Sequence, residues 1–172
     1  DSANFQQHFE SLTILLNGFE LDSTSAKNKA KLFHADDLQM TVNGYHLKLI
    51  DNQHEFNADS IFASTTSNSL SIKNIQIAPS IQSDKKARTS VNVNCEALEI
   101  DNVNFKTLFH TRKLPTRRIG ITNPKVQLQY HSEIVRTRDK REIGILFNLV
   151  SAYLKGVYSE VVEIENGYLN IQ

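Results

Sequence analysis

At 172 residues, with 19 Lys and Arg against 19 Asp and Glu, the chain is neutral overall, so net charge gives no argument for nucleic acid or another polyanion. Its length suits one domain that buries roughly two-thirds of the surface exposed by the unfolded chain, with no staple required. Cys95 is the only cysteine, which excludes an internal disulfide, and its place in an alternating run makes it a small core residue.

No run approaches the ~20 apolar residues of a membrane-spanning helix, and Asp1 to Gln7 lack the charged-then-apolar order of a signal peptide. The chain starts at Asp1 and stops inside an alternating run at Ile171-Gln172, so a fragment of a longer protein is expected. The dominant regularity is an internal repeat. Six times, apolar residues alternate, a short polar or Gly/Pro centre intervenes, and alternation resumes.

In chain order the first copies are Ile14 and Leu16 with Phe19 and Leu21 about Asn17-Gly18, then Leu38, Met40 and Val42 with Tyr45, Leu47 and Leu49 about Asn43-Gly44. Leu70 and Ile72 with Ile75 and Ile77 flank Lys73-Asn74; Leu98 and Ile100 with Val103 and Phe105 flank Asp101-Asn102. Ile119 and Ile121 precede Asn123-Pro124 with Val126 and Leu128 beyond, and Val162 and Ile164 with Leu169 and Ile171 enclose Asn166-Gly167. Residues i and i+3 point to opposite faces of a straight strand, so the pattern demands either a hairpin or a bulge. Asn-Gly suits a type I′ hairpin, in which Leu16 would face Phe19 and Met40 would face Leu47. Proline cannot take positive φ, so Asn123-Pro124 is read as a bulge or wider turn.

Between the copies, Ala26 to Leu38, Glu55 to Ser64 and Gln127 to Glu133 read as strands. The polar stretch 80–90 is the candidate internal linker. A short helix is expected from about Asn104 to Lys113, ended by Pro115. Leu146, Leu149, Val150, Tyr153, Leu154 and Val157 form one stripe on an amphipathic helix from about Glu142 to Tyr158. The fold class that follows is mainly β, a single domain over 1–172: a curved antiparallel sheet or groove with one or two amphipathic helices covering one face or end.

Candidate chemistry is thin. None of the six histidines forms an HxxxH, HxH or Cys/His pair at ligand spacing, so no metal or cofactor is assigned. Ser83 and Lys86 match Ser-x-x-Lys without the partner motifs of that chemistry. No catalytic residue is assigned, and the protein is read as a non-enzyme. Residues 105–142 carry ten bases against three acids. Arg112, Lys113, Arg117, Arg118, Arg136 and Arg138 are the candidate anion or headgroup ligands, against the plainer reading of a solvated rim. Interleaved aromatics for nucleic acid are lacking, so no nucleic-acid partner is expected.

If every copy turns its apolar residues to one side, the sheet has a continuous apolar face, either covered by helices as a core or left open to a ligand. Leu38, Met40, Val42, Leu47, Leu70, Ile72, Ile100, Ile121, Val126, Leu128, Ile164 and Leu169 are the residues expected to line it.

The run Ile119-Gly-Ile-Thr-Asn-Pro-Lys-Val-Gln-Leu, a Leu-rich segment with Leu146, Asn148 and Leu149, and then Val162-Glu-Ile-Glu-Asn-Gly-Tyr-Leu-Asn-Ile resemble the AsmA-like proteins. The earlier unit at Ala58 to Ile61 and Leu70 to Pro79 is similar, so the resemblance spans about the last 120 residues. It implies an elongated β-groove that handles phospholipid or other acyl chains in inter-membrane transport or outer-membrane biogenesis. It further implies a periplasmic location, inner-membrane anchorage through a segment absent from this chain, and neighbouring repeats as partners. The chain departs from the family in its shortness and in lacking the N-terminal membrane helix. The alternative is a structural or protein-interaction β-repeat domain with a closed core and no ligand.

Overall fold

In the computed structural model, which describes residues 6–21, 33–49, 53–80, 89–130 and 153–171, Asn43-Gly44 lies inside one unbroken strand. The elements are β1 (Gln7–His8), β2 (Ser11–Asn17), β3 (Asp37–Lys48), β4 (His54–Ser64), β5 (Ser69–Pro79), β6 (Thr89–Asp101), α1 (Phe105–Thr111), β7 (Lys113–Thr122), β8 (Lys125–Tyr130), β9 (Gly156–Glu165) and β10 (Tyr168–Ile171). The protein is mainly β, and among the described residues ten strands form one sheet that does not close into a barrel. β1 and β2 lie end to end along β3; β4, β5 and β6 follow; β7 and β8 lie end to end along β6; β9 and β10 continue beside β7 and β8.

The sheet is mixed rather than purely antiparallel, because β9 runs parallel to β7 and β10 parallel to β8. Parallel neighbours cannot be joined by a tight turn. The chain accordingly leaves β8 at one end of the sheet and re-enters β9 at the other, beside Lys113.

Four of the six repeated centres are creases rather than hairpins; the other two end strands, β2 stopping at Asn17 and β6 at Asp101, and Leu16 pairs with Leu38 rather than with Phe19. Met40 pairs with Ile14 and Ala63, and Leu47 with Gln7 and Phe56, so the two are not opposite each other. Likewise Ile164 lies beside Ile121, and Leu169 beside Val126. Gly44, Asn74, Asn123 and Asn166 have φ of 60°, 51°, 51° and 53°. Glycine takes this left-handed conformation freely, and asparagine tolerates it better than most residues. One such residue interrupts the two-residue alternation, which lets residues at −2 and +1 share a face while the strand continues.

Neighbouring strands yield at the same level, so register survives the crease. Gln39 to Asn43 face Ser64 to Ser60, and Tyr45 to Lys48 face Ala58 to Glu55, in one continuous register. Carried across the sheet, the registers set Glu10, Gly44, Asp59, Asn74, Glu96, Asn123 and Asn166 in a single transverse row. Strands running one way supply the left-handed residue, and those running the other way supply the carboxylate.

Other expectations meet the structure as follows. β4 coincides with the strand expected at Glu55 to Ser64, and β8 with the start of that at Gln127. The strand expected from Ala26 begins only at Asp37; Phe33 and His34, two consecutive left-handed residues with φ of 53° and 60°, form a turn instead, and residues 26–32 lie outside the described residues. The short helix is α1, capped by the Asn104 side chain, which accepts from the Thr107 N–H at 2.9 Å. It ends at Arg112 in the left-handed conformation rather than at Pro115, which sits within β7 opposite Tyr158. For the long helix, 142–152 fall outside the described residues, and Gly156 to Tyr158 begin β9 instead. Of the linker region, Ser80 is buried with its hydroxyl on Glu55, 81–88 lie outside the described residues, and β6 begins at Thr89.

Candidate functional site: the apolar face

Cross-strand pairs share a face, so the registers assemble the alternating residues into transverse rows. One row runs Ile14, Met40, Ala63, Leu70, Ile100, Ile119, Val162. The next runs Leu12, Val42, Ile61, Ile72, Leu98, Ile121, Ile164. Beyond the crease, Leu47, Phe56, Ile77, Val93, Val126 and Leu169 form another, and Val91, Leu128 and Ile171 a further one.

Both sides of the crease turn their rows the same way. Tyr153, with Tyr45, Phe56 and Ile77, packs against the buried pair Leu47 and Leu49, while its neighbour Leu154 packs against the cluster of Ala63, Ile100, Phe105 and Leu114. The last residues before β9 therefore lie across the apolar face at the crease. The opposite face is mainly polar, with Thr41, Asn57, Gln76, Asn94, Lys125 and Gln127 at alternate positions and Leu15, Phe62 and Val161 as apolar exceptions.

The face is covered at its centre and bare at its margins. Among the expected lining residues, Leu38, Val42, Leu47 and Ile100 are buried; Met40, Leu70, Ile72, Ile121, Val126 and Leu128 are half-buried; Ile164 and Leu169 are 61% and 62% exposed. Phe105 and Leu108 of α1, with Leu114 and Leu154, provide the central packing. Leu12, Ile14 and Leu16 stand exposed at the β2 margin, and Val162, Ile164, Leu169 and Ile171 at the β9–β10 margin. Val157, the last residue of the expected helical stripe, lies in β9 beside Leu114, and Leu146, Leu149 and Val150 lie outside the described residues.

The basic residues do not act as one patch. Arg118 lies on the polar face and is held by Glu163 at 2.6 Å and Asp101 at 3.1 Å, with Glu99 at 3.9 Å. The bond to Glu163, then that to Asp101, raises its pKa above the usual guanidinium range. Arg112 closes α1 and donates to the Tyr153 carbonyl at 2.9 Å, fixing the approach to β9. Lys113 and Arg117 are exposed. Arg117 and Lys106 share a cavity of about 470 Å³ with Asn68, Asn102 and Glu160. Arg136 and Arg138 lie outside the described residues, as do Ser83 and Lys86.

The crease carboxylates were not anticipated. Asn74 donates to Asp59 at 2.7 Å and Asn123 donates to Glu96, while a Cβ on Gly44 would come within 2.4 Å of the Glu10 Cγ. A trough of about 700 Å³ on the polar side is lined by Asp59, Asn74, Gln76, Asn94, Glu96 and Lys125. The signal was present: Ala58 and Ile61 about Asp59-Ser60, and Cys95 and Leu98 about Glu96-Ala97, show the same i, i+3 skip without a Gly or Asn centre. The Cys95 thiol is buried, which pushes its pKa up. Among the described residues, no three His, Cys, Asp or Glu converge to hold a metal ion, and no helix is long and apolar enough to cross a membrane.

No family model, curated protein or solved structure matches this chain.

Proposed function

We propose that the protein is a non-enzymatic module that handles phospholipid or other acyl chains on the apolar face of its sheet. The observation that carries this reading is the row of like-facing aliphatic residues that runs from β2 to β9 and ends, at both margins, in exposed side chains. An acyl chain laid on such a surface gains about 0.8 kcal/mol per buried CH₂. The buried central residues serve as scaffold in this reading, and the contact surface is Ile164 and Leu169 at the margin with the half-buried Ile121, Val126 and Leu128 beside them. Lys113 and Arg117, being exposed, are the cations suited to an anionic headgroup. The resemblance to AsmA-like proteins extends the proposal to inter-membrane phospholipid transport or outer-membrane biogenesis in the periplasm, with an anchoring segment and further repeats supplied by a longer protein.

A second reading, a closed-core interaction domain, draws on the packing of α1, Tyr153 and Leu154 over the centre of the face. Extraction and mass spectrometry of the purified protein separate the two. Bound phospholipid is expected, and Ile164→Asp with Leu169→Asp should deplete it while Thr41→Asp on the polar face should not. Protein that carries no acyl ligand and takes none from vesicles overturns the lipid reading.

A further inference from the structure

We propose that copies of this chain associate head to tail, the outer edge of β1–β2 of one molecule pairing antiparallel with the outer edge of β9–β10 of the next. Among the described residues no strand covers either edge. Every antiparallel pair inside the sheet joins a strand bearing a left-handed crease residue to one bearing a carboxylate at that level: Gly44 with Glu10, Asn74 with Asp59, Asn123 with Glu96. The two outer edges are an unjoined pair of this kind, with Asn166 on one and Glu10 on the other.

Setting Glu10 of a second copy opposite Asn166 brings Leu12 against Ile164 and Ile14 against Val162, continuing two apolar rows. On the polar face it brings Leu15 against Val161, which are 53% and 44% exposed among otherwise mainly polar neighbours. It also sets Ser11 and Thr13 beside Glu165 and Glu163, hydroxyls beside carboxylates. β9 carries three acids and no base, while β2 carries no charge and no proline. Exposed edges ordinarily carry lysine or proline that discourages pairing, so an unguarded β2 fits one that is normally covered.

The isologous alternative, β9–β10 against itself, fails on phase. Its apolar residues lie at −4 and −2 (Val162, Ile164) but at +3 and +5 (Leu169, Ile171) from Asn166, so antiparallel pairing about Asn166 would set Ile164 against Tyr168, from opposite faces. The head-to-tail contact is heterologous, so it propagates as an open chain or ring rather than stopping at a dimer.

Sedimentation over a concentration series should show the protein associating beyond a dimer. Ser11→Glu with Thr13→Glu, which sets like charges opposite Glu165 and Glu163, should weaken association about tenfold. Positions 11 and 165 are exposed, and directly opposed antiparallel residues lie within disulfide reach. Mixing Ser11→Cys protein with Glu165→Cys protein under oxidation should therefore yield a disulfide joining position 11 of one molecule to position 165 of another, with Cys95 buried and unreactive. Circular dichroism verifies that both variants keep the sheet. A protein that stays monomeric at every concentration, or one whose only cross-link joins position 165 to position 165, overturns the proposal.

Discussion

Asn74 donates its side-chain amide to the Asp59 carboxylate at 2.7 Å from a backbone held at φ 51°. The two stand on neighbouring strands in the transverse row where the sheet creases. Asparagine is therefore used twice there: it tolerates the left-handed backbone, and its side chain ties the crease of β5 to that of β4.

Replacing Asn74 separates these roles. Asn74→Ala loses the hydrogen bond and puts in the left-handed region a residue that tolerates it less well than asparagine, for a combined cost of about 1–3 kcal/mol. Asn74→Gly loses the bond but relieves the backbone, so it should cost less than half as much. Urea denaturation of the three proteins reads the difference; equal losses for Ala and Gly would remove the backbone from the explanation. Gly44→Ala should behave as the severe case, since φ is 60° and the added Cβ also displaces Glu10.

Asp37 gives the acid limb of stability a defined contributor. The Thr66 N–H, followed by the Gln39, Thr65 and Asn17 side chains, donates to its carboxylate and holds it well below its ordinary 3.8. A carboxylate depressed in the folded state adds stability that is complete above the ordinary value and declines as pH falls below it. The urea midpoint of Asp37→Asn should thus lie below that of the parent protein at neutral pH, and the gap should narrow towards about pH 2.5. A gap independent of pH would mean that the charge of Asp37 plays no part.

His54 is 1% exposed, and its Nε2 accepts the Val91 N–H at 3.2 Å. His54→Ala leaves a cavity and a buried N–H without this acceptor, and should cost about 2–4 kcal/mol. His54→Gln, which keeps an acceptor, should recover part of the loss. Thermal unfolding of the two variants tests this: equal losses for Gln and Ala would mean that the acceptor at position 54 contributes nothing.

Much of this arrangement is local and was readable residue by residue. Period-two alternation assigns each aliphatic side chain to a face, because successive Cβ atoms of a strand point to opposite sides. The skip from Val42 to Tyr45, or from Ile72 to Ile75, announces that the alternation is interrupted there. Asn104 ahead of Phe105 likewise marks the start of α1, because capping is decided within a few residues.

Other features depended on partners distant in sequence. A left-handed residue after an alternating run serves equally in a type I′ hairpin and in a crease, so Asn43-Gly44 alone cannot choose between them. What chose was the neighbouring strand: β4 pairs with β3 on both sides of Gly44 in one register, which a reversal at Gly44 would forbid. For the same reason the basic cluster resolved only in three dimensions, where Glu163, 45 residues away, reaches Arg118. The sequence by itself determined which side chains share a face, because that is a property of the strand. The tertiary structure decided how the strands are joined, because register and direction belong to pairs of strands and not to any one of them.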